Sequence, residues 1–85
     1  MDLAQLKTAL DRRGVSARRY SLSGGLPNGG FGVDHDDSGW TVYYSERGQR
    51  CYVIENYPSE NDACHRLWNL ITDGQPLPED ARQAP

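Results

Sequence analysis

No apolar run in the chain approaches the roughly 20 residues that span a bilayer. The first ten residues, MDLAQLKTAL, lack the basic start and apolar centre of a secretion signal. The expected address is therefore the cytoplasm, with no membrane partner. Cysteine is scarce: Cys51 and Cys64 stand at no metal-ligand or redox spacing, and two thiols in a cytoplasmic chain stay reduced, so both are expected to be small packing residues. His65 adjoins Cys64, but neighbours on a helix point about 100° apart and cannot readily hold one ion together. No serine or cysteine stands in a nucleophile elbow, and the two histidines, His35 and His65, have no spacing that nominates a base with its orienter. The glycine-rich stretch GGLPNGG has neither the Lys-Ser/Thr of a phosphate loop nor a helix directly after it. These absences argue against an enzyme, and no cofactor is expected.

What is present is a thin core and an uneven charge. Hydrophobic residues make up 36% of 85, enough for one small domain anchored by two Trp, five Tyr and one Phe. The net charge of −3 is divided unequally: residues 1–20 hold five basic and two acidic groups, and residues 21–85 hold four basic and ten acidic. An acidic surface repels nucleic acid phosphates and favours a basic protein partner. The only basic cluster is Arg12, Arg13, Arg18 and Arg19, of which the first two sit where a helix dipole favours cations.

Asp2 with Gln5 three residues later reads as a capping box, and Leu3, Leu6 and Leu10 fall on one helical face, predicting a helix over about 2–13. Gly14 then stops it, with Val15 closing back on Leu10. Tyr20 to Leu22 reads as a short strand before the GGLPNGG loop. From Phe31 the period becomes two: Phe31 and Val33; Trp40, Val42 and Tyr44; then Cys51 to Tyr57. DHDDSG and ERGQ link these segments as turns, Gly48 taking the positive φ of a bulged hairpin turn. Ser59 caps a second helix, about 60–72, with Ala63, Leu67, Leu70 and Ile71 in one stripe and Trp68 on its shoulder. The expected fold class is α+β, order α-β-β-β-α with a possible extra short strand near 20–22. The strands should form an antiparallel meander with both helices packed on one face, and Leu3, Leu6, Leu10, Val33, Trp40, Val42, Leu67, Leu70 and Ile71 should form the core. Residues 1–74 are expected to form the single domain, and the Pro-rich 75–85 a flexible tail.

The stretch DHDDSGW, Asp34 to Trp40, opens like a calcium-binding EF-hand loop. Counting Asp34 as position one, however, puts Ser45 at position twelve, where a bidentate Glu is needed, and a strand instead of a helix follows Gly39. The stretch therefore reads as a hairpin turn whose Asp and Ser side chains bond the local backbone, and no metal is expected.

The run GWTVYYSERG, Gly39 to Gly48, with YSLSGG, Tyr20 to Gly25, before it and Glu60, Ala63 and Cys64 after it, resembles a family of small bacterial immunity proteins that neutralise polymorphic or contact-dependent toxins. The resemblance covers roughly residues 3–71 and is most specific in its central ten. It implies a stoichiometric, non-catalytic inhibitor that binds a cognate toxin domain, and it transfers no binding residues. On the residues themselves, an inward Trp40, Val42 and Tyr44 would leave Tyr43 exposed on the far face of the sheet. Asp34, Asp36, Asp37, Tyr43, Glu46 and Arg47 are thus the candidate partner-binding residues, facing a toxin with a basic surface. The other reading is a cytoplasmic interaction or regulatory adaptor unrelated to toxins, separable by whether the adjacent gene encodes a secreted protein with a variable C-terminal domain.

Overall fold

The computed structural model describes residues 1–76. The first helix, α1, runs over Leu3–Arg12, and its capping box is complete: the Gln5 N–H donates to Asp2, and the Asp2 N–H donates back to the Gln5 side chain. The helix closes as a Schellman motif, with the Val15 N–H donating to Leu10 O and the Gly14 N–H to Asp11 O. A single 3-10 turn, Ala17–Arg19, leads into β1, Tyr20–Ser21. Then come β2, Gly30–Asp36; β3, Gly39–Glu46; β4, Gln49–Tyr57; and the second helix, α2, Glu60–Thr72. Ser59 caps α2 by accepting from the Asp62 N–H, and Asp73 ends it in the left-handed region. No helix among the described residues is long and apolar enough to cross a membrane.

The sheet has the order β1-β2-β3-β4. The three longer strands form the antiparallel meander expected from the alternation, while the short β1 joins parallel to β2, making the sheet mixed. A parallel neighbour requires a crossover. Here residues 22–29 supply it without a helix, and where that loop travels decides the character of the site below.

α2 lies across β2, β3 and β4, and α1 packs on α2. Their N-termini are tied together: the Met1 ammonium donates to Asn61 Oδ1, and the Leu3 N–H to Glu60 Oε2 at 2.8 Å. Leu6, Leu10, Val33, Val42 and Leu67 are buried in one cluster, and Leu3, Trp40, Leu70 and Ile71 pack against it, so none of the nine core positions is exposed. Trp68 goes deeper than the shoulder position its spacing suggested. It is 2% exposed, and its indole N–H donates to Gln75 O at 2.6 Å. That bond, with one from Arg13 to the Gln75 side chain, fastens the first residue of the expected flexible tail, most of which lies outside the described residues.

Candidate functional site

Tyr43 was expected to face solvent and is instead fully buried. The face of the sheet turned away from the helices is covered by the crossover loop. The Tyr43 hydroxyl donates to Gly25 O, the Ser45 hydroxyl donates to Pro27 O, and the Gly24 and Gly29 N–H groups donate to Val33 O and Ser45 O. Gly32, directly opposite Tyr43 in the ladder, leaves the space its ring fills: a Cβ there would stand 2.5 Å from Tyr43 Cζ. From the other side the Arg50 guanidinium lies 4.0 Å above the ring centroid. Burial pushes the Tyr43 phenol above its ordinary pKa, with Arg50 opposing. The residue is thus a structural pin between sheet and loop, and the correction follows from a long-range cover that alternation along one strand does not reveal.

The remaining candidates divide between two ends of the sheet. Asp36 and Asp37 lie at the tip of the β2–β3 hairpin, Glu46 and Arg47 at the β3–β4 turn, and the eight-residue β3 separates them by roughly 20–25 Å. They do not form one patch around Tyr43. At the first tip the hairpin reading of DHDDSG holds. Asp36 Oδ1 accepts from the Ser38 N–H at 2.8 Å and the Ser38 hydroxyl at 2.6 Å, and Gly39 takes φ 118°. The Ser38 bonds hold the Asp36 carboxyl below its usual range. Ser45, the twelfth position of the calcium pattern, is buried and committed to Pro27, so the oxygen set of such a loop cannot close. Among the described residues no three His, Cys, Asp or Glu side chains converge. At the second tip Arg47 and Gly48 both take positive φ, 54° and 77°, the pattern of a two-residue type I′ turn, and the Arg47 N–H donates to Asn28 Oδ1 of the crossover loop. Asp34 sits two residues before the first tip, 3.5 Å from Arg50, in an ion pair exposed enough to contribute little.

Two groups with reactive chemistry, Cys64 and His35, are packed against neighbours. The Cys64 thiol is buried and its pKa pushed up to about 12 by desolvation, which keeps it neutral. His35 lies flat on Trp40, centroids 3.9 Å apart and planes 4° off parallel.

The residues that the sequence pattern did not single out are on β4. This strand ends the sheet, and no described segment pairs with its outer edge. Tyr52 and Val53 are each 54% exposed in its middle, with exposed Cys51 beside them. Tyr52 stacks on Tyr44 at 5.3 Å, and Tyr44 meets Phe31 edge-on at 5.4 Å, so an aromatic row runs across three strands and ends in solvent at Tyr52. The available signal was positional: the last strand of a meander is an edge unless something covers it. No family model, no curated protein and no solved structure matches this chain.

Proposed function

We propose that the chain is an immunity protein, a non-catalytic binder that holds a cognate bacterial toxin domain in a stoichiometric complex in the cytoplasm. The β4 strip forms part of the surface that meets the toxin. The observation that carries this reading is the adjacent pair Tyr52 and Val53, each 54% exposed in the middle of an unpaired edge strand, in a chain with few apolar residues to spare. Removing such side chains from water is what drives association, and a tyrosine anchored at one end of an aromatic row loses little conformational freedom when bound. The resemblance of Gly39–Gly48 and its flanks to immunity proteins supplies the class of partner. The acidic tip at Asp36 and Asp37 would steer a basic toxin toward the surface without anchoring it.

The test is co-expression with the product of the adjacent gene. The expected result is a complex holding one toxin domain per chain, and relief of toxicity. Tyr52→Ala with Val53→Ala should mainly speed dissociation, weakening binding by about 2 kcal/mol or more, whereas neutralising Asp36 and Asp37 should mainly slow association at low salt. A toxin that is neither bound nor neutralised would refute the immunity reading. Unchanged affinity of the Tyr52/Val53 variant, with its circular dichroism intact, would move the interface off β4.

A further inference from the structure

We infer that a second copy of this chain occupies the outer edge of β4, pairing antiparallel with its own β4 about a two-fold axis through Val53. Two four-stranded sheets thereby join into one. The inference rests on reading the β4 strip as a binding surface: the second copy takes the backbone edge of the strand, and the toxin meets the side chains that Tyr52 and Val53 present on the faces of the joined sheet.

The two edges of the sheet are unlike. The β1 edge is two residues long, and brevity alone makes it a poor template. β4 is nine residues long, contains no Lys and no Pro, and has an apolar centre, Cys51 to Ile54. What disturbs its edge is a pair of bulges against β3. Val42 faces Glu55 and Tyr43 faces Val53, leaving Ile54 extra; Tyr44 faces Tyr52 and Ser45 faces Arg50, leaving Cys51 extra. A bulged strand normally resists a straight partner, because each extra residue breaks the alternation of faces.

The extra residues, Cys51 and Ile54, lie two before and one after Val53, but the faces on which the side chains stand read the same in both directions from Val53. Tyr52 stacks on Tyr44 and Ile54 packs on the helix-side core, so both neighbours of Val53 point to the helix side. Arg50 covers Tyr43 and Asn56 donates to Thr41 Oγ1, so both residues three away point to the other side. Directly opposed residues of an antiparallel pair must share a face. With the axis on Val53, Tyr52 meets the second copy's Ile54, Cys51 meets Glu55 and Arg50 meets Asn56, so opposed side chains share a face along the whole pair. Moving the axis to Tyr52 opposes Arg50 to Ile54, and moving it to Ile54 opposes Val53 to Glu55; both combine residues from different faces. Charge agrees with this register. The only ionic groups of the strand, Arg50 and Glu55, face Asn56 and Cys51, so no like charges are opposed.

The test uses the full chain and two readouts. By sedimentation equilibrium the wild type should be a dimer, and Val53→Lys, which sets two ammonium groups face to face at the axis, should weaken it by roughly tenfold or more without altering the circular dichroism spectrum. In a Cys51→Ser background, Val53→Cys should oxidise quantitatively to a covalent dimer, because directly opposed Cα atoms lie about 4.5–5.5 Å apart, within disulfide reach. The native Cys51 thiols, displaced by four residues along the paired strands, would be about 13 Å apart and should not bridge. A strictly monomeric chain overturns the self-pairing, and if it still neutralises its toxin the functional proposal stands alone. A dimer indifferent to Val53→Lys, or one in which Val53→Cys fails to bridge, overturns the register and the edge together.

Discussion

Substituting Gly32 by Ala replaces one hydrogen by a methyl group in the middle of β2, yet the geometry makes it a large perturbation. The φ of Gly32 is not in the left-handed region, so an alanine backbone fits without strain. The new Cβ would instead stand 2.5 Å, 2.6 Å and 2.7 Å from Tyr43 Cζ, OH and Cε2, where ordinary contact begins near 3.4 Å. The ring must retreat by close to an ångström, and it is enclosed: the crossover loop accepts its hydroxyl at Gly25 O, and Arg50 lies over its face. Overpacking of this kind costs about 1–3 kcal/mol. Losing the hydrogen bond at the buried carbonyl adds about 1 kcal/mol, while stiffening the unfolded chain returns about 0.4–1 kcal/mol. The net expectation is a loss of about 2–3 kcal/mol, which for a domain of this length lowers the melting temperature by roughly 10–20 °C. Thermal and urea unfolding, followed by tryptophan fluorescence and far-ultraviolet circular dichroism, measure it. A double-mutant cycle identifies the cause. Tyr43→Ala alone should cost about 3–5 kcal/mol, but much less when Gly32→Ala is already present, because the clash has no ring to meet. A loss below about 0.5 kcal/mol for Gly32→Ala, or strict additivity in the cycle, would refute the account of Tyr43 as a pin packed into the place of a missing side chain.

Arg47 holds a left-handed φ of 54° that a glycine adopts freely, so Arg47→Gly should stabilise the fold by about 0.5–1 kcal/mol in urea unfolding, the strain relieved exceeding the entropy added. Since Asp36 is bonded to Ser38 and Ser45 to Pro27, millimolar calcium should leave the melting temperature unchanged; a rise abolished by Asp34→Ala would restore the metal reading. The Cys64 thiol, raised to about 12 in the fold, binds its proton more tightly there than in the unfolded chain, so its contribution is intact below about pH 9 and is lost as pH rises from there toward 12. Wild-type stability should therefore fall more steeply across that window than that of Cys64→Ala, and parallel pH profiles for the two proteins would contradict this.

Features whose causes lie within a few residues were legible from the sequence. The Asp2–Gln5 box, the Gly14–Val15 closure, the Ser59 cap and both hairpin turns are decided by local hydrogen bonds, and all form where the residue types put them. Alternation along β3 also divided its residues correctly between two faces, placing Val42 with the helices and Tyr43 opposite. It did not say which face would be covered. That depends on the path of residues 22–29, whose loop-to-sheet bonds join groups up to 19 positions apart. Composition did hold a trace of the answer, because small residues line the covered face. Gly30 and Gly32 on β2 and Ser45 on β3 leave a shallow trough, which a lone Tyr43 and a glycine-rich loop can fill together. A strand facing solvent has no need of such a trough, whereas a strand receiving another backbone does. The same logic explains why the β4 strip went unread. Cys51 to Ile54 has the composition of a core strand, and the two bulges that interrupt its alternation on either side of Tyr52 and Val53 arise from its pairing with β3. Chemistry within a segment therefore specified the elements, and the order in which they stack decided which side chains stayed wet and available to a partner.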